Sequence, residues 1–447
     1  MTAYRLGAAL MSSTNNPSAP VVTAITAREV LDCRGLPTVQ ADVFASTAAG
    51  GASSEVMGRA DVPSGRSTGV HEAAELRDGG TRFGGWGVLG VVNNVINELS
   101  PAMSGMAIEP LRQFDAKLCE IDGTPNKSRL GANALLGVSL AAARAGALAR
   151  GMPLYRYLNA DAHVLPVPQV NLINGGKHAS GDLDFQEFIV MPLGVASMLE
   201  ALQLSTEVNL VLAEILLARY GKVALNVGDE GGFVPPISDP REALDLLHQA
   251  VDKSGYADHV AYGLDCAASH LYDEASKTYT VAGKSYETGA MIELYLELIA
   301  EYGIVSIEDP LREDDFEGFT ELTQKAGIQI VGDDLFTTNP VRLAQGIEVE
   351  AANALLWKVN QIGTLSEALD AARMATGAGY SVVVSERSGE TEDPIIADLV
   401  VALNAGQIKT GAPVRGERTG KYNRLLQIEE ELGSSASYAG RNYRRPA

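Results

Sequence analysis

Short apolar runs recur past residue 160, and each closes on polar or charged residues. They are DFQEFIVMP, HVAYGLDCA, YGIVSIEDP, GIQIVGDDL, NALLWKVNQ and YSVVVSERS. Helix-forming stretches separate them. Strand alternating with helix calls for a parallel sheet. The closing residues are evenly spaced: 25 residues from Glu308 to Asp333, 25 on to Lys358, 29 to Arg387 and 22 to Lys409. One unit of an eight-unit β/α barrel of about 250 residues takes roughly 30 residues. The spacing predicts a barrel over residues 158–433. A doubly wound open sheet is the competing architecture. Charged residues repeating at strand ends fit a ring around a barrel mouth better.

The first third of the chain reads differently. Residues 21–62 alternate apolar and polar, as strands of an antiparallel sheet do. Asp61 to Gly69 is a loop rich in Ser and Gly. Residues 133–150 are rich in Ala and Leu, with Asn133 at the start and Gly151 just past the end, which predicts a helix. Residues 21–157 are therefore expected to form an α+β domain. Residues 1–20 read as a disordered lead-in, with Met11 as an alternative start, and residues 434–447 as a basic tail.

Charge and cysteines exclude several classes. With 35 basic and 56 acidic side chains the formal charge is −21, which argues against partners that are nucleic acid or anionic membrane surface. No apolar run approaches the ~20 residues of a membrane span. Cys33, Cys119 and Cys266 are too scattered for a disulfide framework or a zinc knuckle, and a reducing cytoplasm fits them.

Asp265, Glu308 and Asp333 each close an apolar run. Strand C-termini converge at one face of a barrel, where active sites lie. Three carboxylates there need a cation, and oxygen-only ligation with open positions suits Mg²⁺. Asp309 and Asp334, one residue further on, are read as helix caps. Lys358 and Lys409 close later runs. A lysine beside a divalent cation has its protonated form disfavoured and can serve as a base, or it can simply pair with the acids. Glu230 lies in the glycine-rich NVGDEGGF, and Glu187 interrupts an apolar strand, where burial demands a polar partner. The set suits removal of a proton α to a carboxylate.

These residues sit in motifs that resemble the enolase family: VPSG-STG (Val62 to Gly69), NGG-H (Asn174 to His178), QEF (Gln186 to Phe188), NVGDEGG, GLDCA, SIEDP, DDL, KVNQIGTLSEA, RSGETED, GQIKTGAP and IEEELG. The resemblance spans roughly residues 22–433. It implies a modified (β/α)8 TIM-like barrel, an α/β fold with an N-terminal α+β capping domain. It implies that Lys358 removes the C2 proton of 2-phosphoglycerate while Glu230 and Glu187 assist loss of the C3 hydroxyl, giving phosphoenolpyruvate, a step of glycolysis. A Lys base with Mg²⁺ is the usual combination in this superfamily. Asp265, Glu308 and Asp333 would hold one Mg²⁺, and Ser67 a second one with a phosphate oxygen. Arg387 and Ser388 would bind phosphate and Lys409 the carboxylate, with His178 and Gln186 lining the pocket. The resemblance further implies a cytoplasmic homodimer or homo-octamer.

Two positions depart from the family pattern. Glu386 stands where the family has a histidine before RSGETED, and Arg66 where alanine usually precedes the loop serine. Cys33, Leu36, Gly181 and Trp86 depart as well. A carboxylate beside an anionic substrate is repelled, by several kcal/mol if desolvated. Arg66 reaching Glu386 would compensate. The departures also allow an altered substrate, a phosphonate carboxylate, as in the enolase-like carboxyphosphonoenolpyruvate synthases. A third reading is a retired enolase that serves as a binding or structural protein. All three acids, both lysines, Glu187 and Glu230 are present, which argues against it.

Overall fold

The computed structural model describes residues 19–49, 52–66 and 69–445; the lead-in at 1–18 and Ser67 lie outside them. Strands β1 (Val21–Leu31), β2 (Pro37–Ala49) and β3 (Ala52–Asp61) form an antiparallel sheet in the order β1-β2-β3. The alternation seen in the sequence comes from this sheet, whose Val39, Ala41, Val43 and Ala45 are fully buried. Helix α1 (Ala132–Ala149) lies across it. Its alanines and glycines allow close approach: a Cβ built on Gly58 of β3 would sit 2.1 Å from the Ala141 carbonyl oxygen. That packing accounts for the apolar character of a helix long enough to cross a membrane, since 83% of it is buried.

Eight strands close the barrel: β4 (Val167–Asn174), β5 (Glu187–Pro192), β6 (Val260–Asp265), β7 (Ile304–Glu308), β8 (Gln329–Gly332), β9 (Ala354–Trp357), β10 (Ser381–Ser385) and β11 (Gln407–Lys409). Every pairing is parallel except those of β5, which runs antiparallel to β4 and to β6. The reason is local. Between Asn174 and Glu187 the chain forms only a short 3-10 turn at Gly176–His178, and a parallel return needs a crossover of a dozen or more residues, usually helical. A uniformly parallel sheet is thus corrected at one strand. The reversal places Glu187, the first residue of β5, opposite Asn174 and Asp265, the last residues of β4 and β6.

After β5 the chain climbs helix α2 (Met198–Tyr220), turns through the glycine-rich loop and descends helix α3 (Pro240–Ser254) before β6. Glu230 therefore reaches the mouth from an inter-helix loop. Inside the barrel, below the mouth, Gln329 donates to Ser306 at 3.0 Å and to Gln407 at 2.8 Å, and Gln169 donates to Gln407 at 2.9 Å. The segment read as a tail packs through residue 445: Ser437–Tyr438 pairs with Val164–Leu165, and Tyr443 packs with Ile189, Met191 and Leu193.

Candidate active site

Lys409 stands at the centre of the mouth. Its Nζ lies 2.7 Å from Asp265 Oδ2, 2.8 Å from Glu308 Oε2 and 3.1 Å from Glu187 Oε1. Strand register makes this possible, because Asp265 pairs with Glu308 on one side and with Glu187 on the other. Asp265 also accepts from Gln186 Nε2 and from the Ala267 amide, both at 3.0 Å. Burial pushes the Glu308 carboxyl up to about 8, and neighbouring Asp265 adds to the effect. Burial alone would disfavour the Lys409 charge, but the surrounding carboxylates prevail and hold the ammonium well above an ordinary lysine.

Asp333 stands one strand further round, paired with Lys358 Nζ and accepting from Gln361 Nε2 at 2.8 Å. Burial opposes its ionised form, yet Lys358, with Arg387 and Gln361, favours it and the carboxyl falls below its usual range. Burial opposes the Lys358 charge, but Asp333 and Glu308 favour it, and the ammonium is raised. Asp309 and Asp334 do not cap the following helices. Asp315 and Asn339 do that. Instead the Asp309 carboxylate accepts from the amides of Asp333 and Asp334, at 2.9 and 2.8 Å, and braces the turn that carries Asp333.

On the opposite wall His178 Nδ1 lies 3.3 Å from Glu230 Oε1 and 3.7 Å from Glu187 Oε1. Asn171, a residue with no sequence signal, donates to Glu230 Oε2 at 3.2 Å. The two glutamates are driven apart. Burial, reinforced by the charge of Glu230, holds Glu187 well above the usual carboxylate range. Burial acts on Glu230 too, but His178 and Arg418 overcome it and hold its carboxyl well below.

The third wall carries Glu386, Arg387 and Ser388 beyond β10. Arg387 is held bidentate by Glu72, at 2.8 and 3.2 Å, and meets Asn360 at 3.1 Å. The Ser388 hydroxyl accepts from the Arg66 amide at 2.9 Å. Arg66 does not reach Glu386. Its guanidinium donates instead to Asp229 at 2.8 Å and to the Lys177 carbonyl at 3.2 Å. Glu386 has another partner: Arg418 Nη1 lies 2.5 Å from its Oε2, and Thr410 donates to the same oxygen at 3.0 Å. Glu72 and Arg418 lie outside the quoted motifs, and Asp229, though inside NVGDEGG, carries no sign there that it meets Arg66.

The cavity enclosed by these walls is about 20 Å³, room for about one water molecule. A wider cavity of about 410 Å³ adjoins it, sharing Gln186 and Ala267 and walled by Gly176, Lys177, Gly181, Asp184 and His270 among others. Among the described residues two groups bring ligand atoms within 4.8 Å of one another: His178 with Glu187 and Glu230, and Asp309 with Asp333 and Asp334. The expected Asp265, Glu308 and Asp333 set is not one of them, because Lys409 draws the first two acids and Lys358 the third. Its donors are nonetheless all carboxylate oxygens, crowded enough to raise Glu308, which is the chemistry a hard divalent cation fits.

A β/α barrel that gathers acids and two lysines at the C-terminal ends of its strands, under an α+β cap, defines an enzyme of the β/α-barrel class, with its active site at that face. Two family models match: "Enolase, N-terminal domain" over residues 22–158 and "Enolase, C-terminal TIM barrel domain" over residues 162–447. Relatives named enolase share most of the sequence. That of Methanocaldococcus jannaschii is 57% identical over 94% of this chain and 98% of its own length. Those of Thermococcus gammatolerans and Pyrococcus furiosus are each 55% identical over 95% of this chain and 98% of their own. The chain belongs to the enolase family.

Proposed function

We propose that this chain is a lyase that interconverts 2-phosphoglycerate and phosphoenolpyruvate. The observation that carries the reading is the single cavity lined by Lys358, by the split pair Glu187 and Glu230 and by the acids Asp265 and Asp333. Titratable groups whose environments push them in opposite directions mark acid and base roles. Glu187, whose carboxyl burial holds well above its usual range, is the group better suited to give a proton to the departing C3 hydroxyl. Glu230, kept ionised and fixed by His178 and Asn171, orients that hydroxyl. Lys358 removes the C2 proton, and its contact with Asp333 must break for the amine to be free.

Asp265, Glu308 and Asp333 would hold Mg²⁺, whose charge would offset the negative charge that builds on the substrate carboxylate. A second Mg²⁺ beside Ser67 rests on the family resemblance. Lys409 would bind the substrate carboxylate, Arg387 and Ser388 the phosphate, and His178 and Gln186 would line the pocket. In the small cavity these cationic groups hold the protein's own acids, so ligand entry exchanges Lys409–carboxylate and Arg387–Glu72 contacts for contacts with substrate. A homodimer or homo-octamer in the cytoplasm is the assembly and location proposed from the same resemblance.

The phosphonate alternative has no observation in its favour. It rested on Arg66 and Glu386, with Cys33, Leu36, Gly181 and Trp86; the Glu386 carboxyl meets Arg418, and burial pushes it up to about 8. The relatives' name favours the 2-phosphoglycerate reaction, and the intact site disfavours a retired enzyme. Steady-state assay of 2-phosphoglycerate with Mg²⁺ tests the proposal. Turnover on the order of 10 s⁻¹ is expected, and no turnover by folded, metal-loaded protein overturns it.

A further inference from the structure

Arg418 is wholly buried, on the first turn of the helix Gly416–Leu432. Its fork reaches two segments. Nη1 donates to the Arg387 carbonyl at 2.9 Å and lies 2.5 Å from Glu386 Oε2. Nη2 donates to the Ser388 carbonyl at 2.8 Å and to the Asp229 carbonyl at 3.1 Å. The first two carbonyls belong to the segment assigned to phosphate, and the third precedes Glu230. One guanidinium thus ties the backbone that aims Arg387 and Ser388 to the backbone that aims Glu230.

A buried guanidinium stays charged and needs a counterion. Glu386 is the acid that meets it in this chain, although burial pushes that carboxyl up to about 8 against the pull of Arg418. It is 3% exposed, its Oε2 is shared by Arg418 and Thr410, and its backbone amide donates to the Lys409 carbonyl at 2.9 Å. Glu417, also near Arg418, is engaged by Arg415 at 2.7 Å.

We propose that Arg418 is a positioning residue for the substrate-binding segment Arg387–Ser388 and for Glu230, with Glu386 as its buried counterion. The inference rests on the proposed reaction. Lysine keeps the charge at position 418, but it donates from a single atom and does not span separate carbonyls as a planar fork does. Misaimed phosphate ligands raise KM, and a misaimed Glu230 lowers kcat.

The test is steady-state kinetics of the full chain with 2-phosphoglycerate and Mg²⁺, alongside thermal melting followed by circular dichroism. R418K is expected to raise KM about tenfold or more and to lower kcat by a similar factor while remaining folded at the assay temperature. Kinetics within twofold of wild type overturn the proposal. A wild type without turnover overturns instead the reaction it rests on. If R418K does not fold, the charge-balanced R418Q/E386Q variant takes its place with the same kinetic expectation. E386Q alone, which strands the charge of Arg418, is expected to melt below R418Q/E386Q. A single variant as stable as the double one overturns the counterion role.

Discussion

Lys358 and Lys409 share a pocket and a charge, but their surroundings differ. Lys409 is locked among three carboxylates, whereas Lys358 is paired with Asp333. Of the two, Lys358 is the one freed by breaking a single ion pair. Lys358→Met is therefore expected to cut kcat by about 10²–10⁴-fold, the usual worth of a positioned base, with a much smaller change in KM. A loss under tenfold in the rate of the chemical step, read by single-turnover kinetics, would remove Lys358 from that role. Glu308 gives a pH prediction. Its folded carboxyl is raised from 4.5 to about 8. A raised acid adds stability to the metal-free fold below its unfolded value, and that contribution is lost as pH rises through the folded one. Magnesium favours the ionised carboxylate, so the gain in melting temperature on adding Mg²⁺ should be larger at pH 8 than at pH 6. An equal gain at both, by calorimetry, would place the metal elsewhere.

At the scale of elements, one reversed strand determines which residues meet. β5 enters the barrel from the mouth, so Glu187 at its beginning joins residues that end β4 and β6. The junction between sheet and helix in the cap is equally specific. A methyl on Gly58 would meet backbone atoms of α1 at 2.1 and 2.4 Å, and backbone does not rotate away. Gly58→Ala should destabilise by about 1–3 kcal/mol or more, as overpacking does, and denaturant unfolding measures it. The cap is pinned to the barrel by Arg144, which binds Asp393 bidentately at 2.7 and 2.5 Å and the Arg59 carbonyl at 2.6 Å. Asp393→Ala leaves that largely buried guanidinium without its counterion. A loss of about 3–5 kcal/mol is expected, and a melting temperature equal to wild type would contradict it.

For the whole molecule, the sequence determined that apolar runs alternate with helices and that Asp265, Glu308, Asp333, Lys358 and Lys409 end them. Those facts follow from local periodicity and chain length, so the barrel and its ring of charged ends were legible. Tertiary structure alone decided which partners those residues take. Arg66 and Glu386, joined on paper as a compensating pair, bind Asp229 and Arg418 instead. Asp309, read as a cap, braces the turn below Asp333. Residues 434–445, read as a tail, pack on the barrel. Periodicity reports which face of an element is apolar. It carries no information about which distant loop is delivered to a given side chain, because that depends on strand direction, register and closure of the barrel.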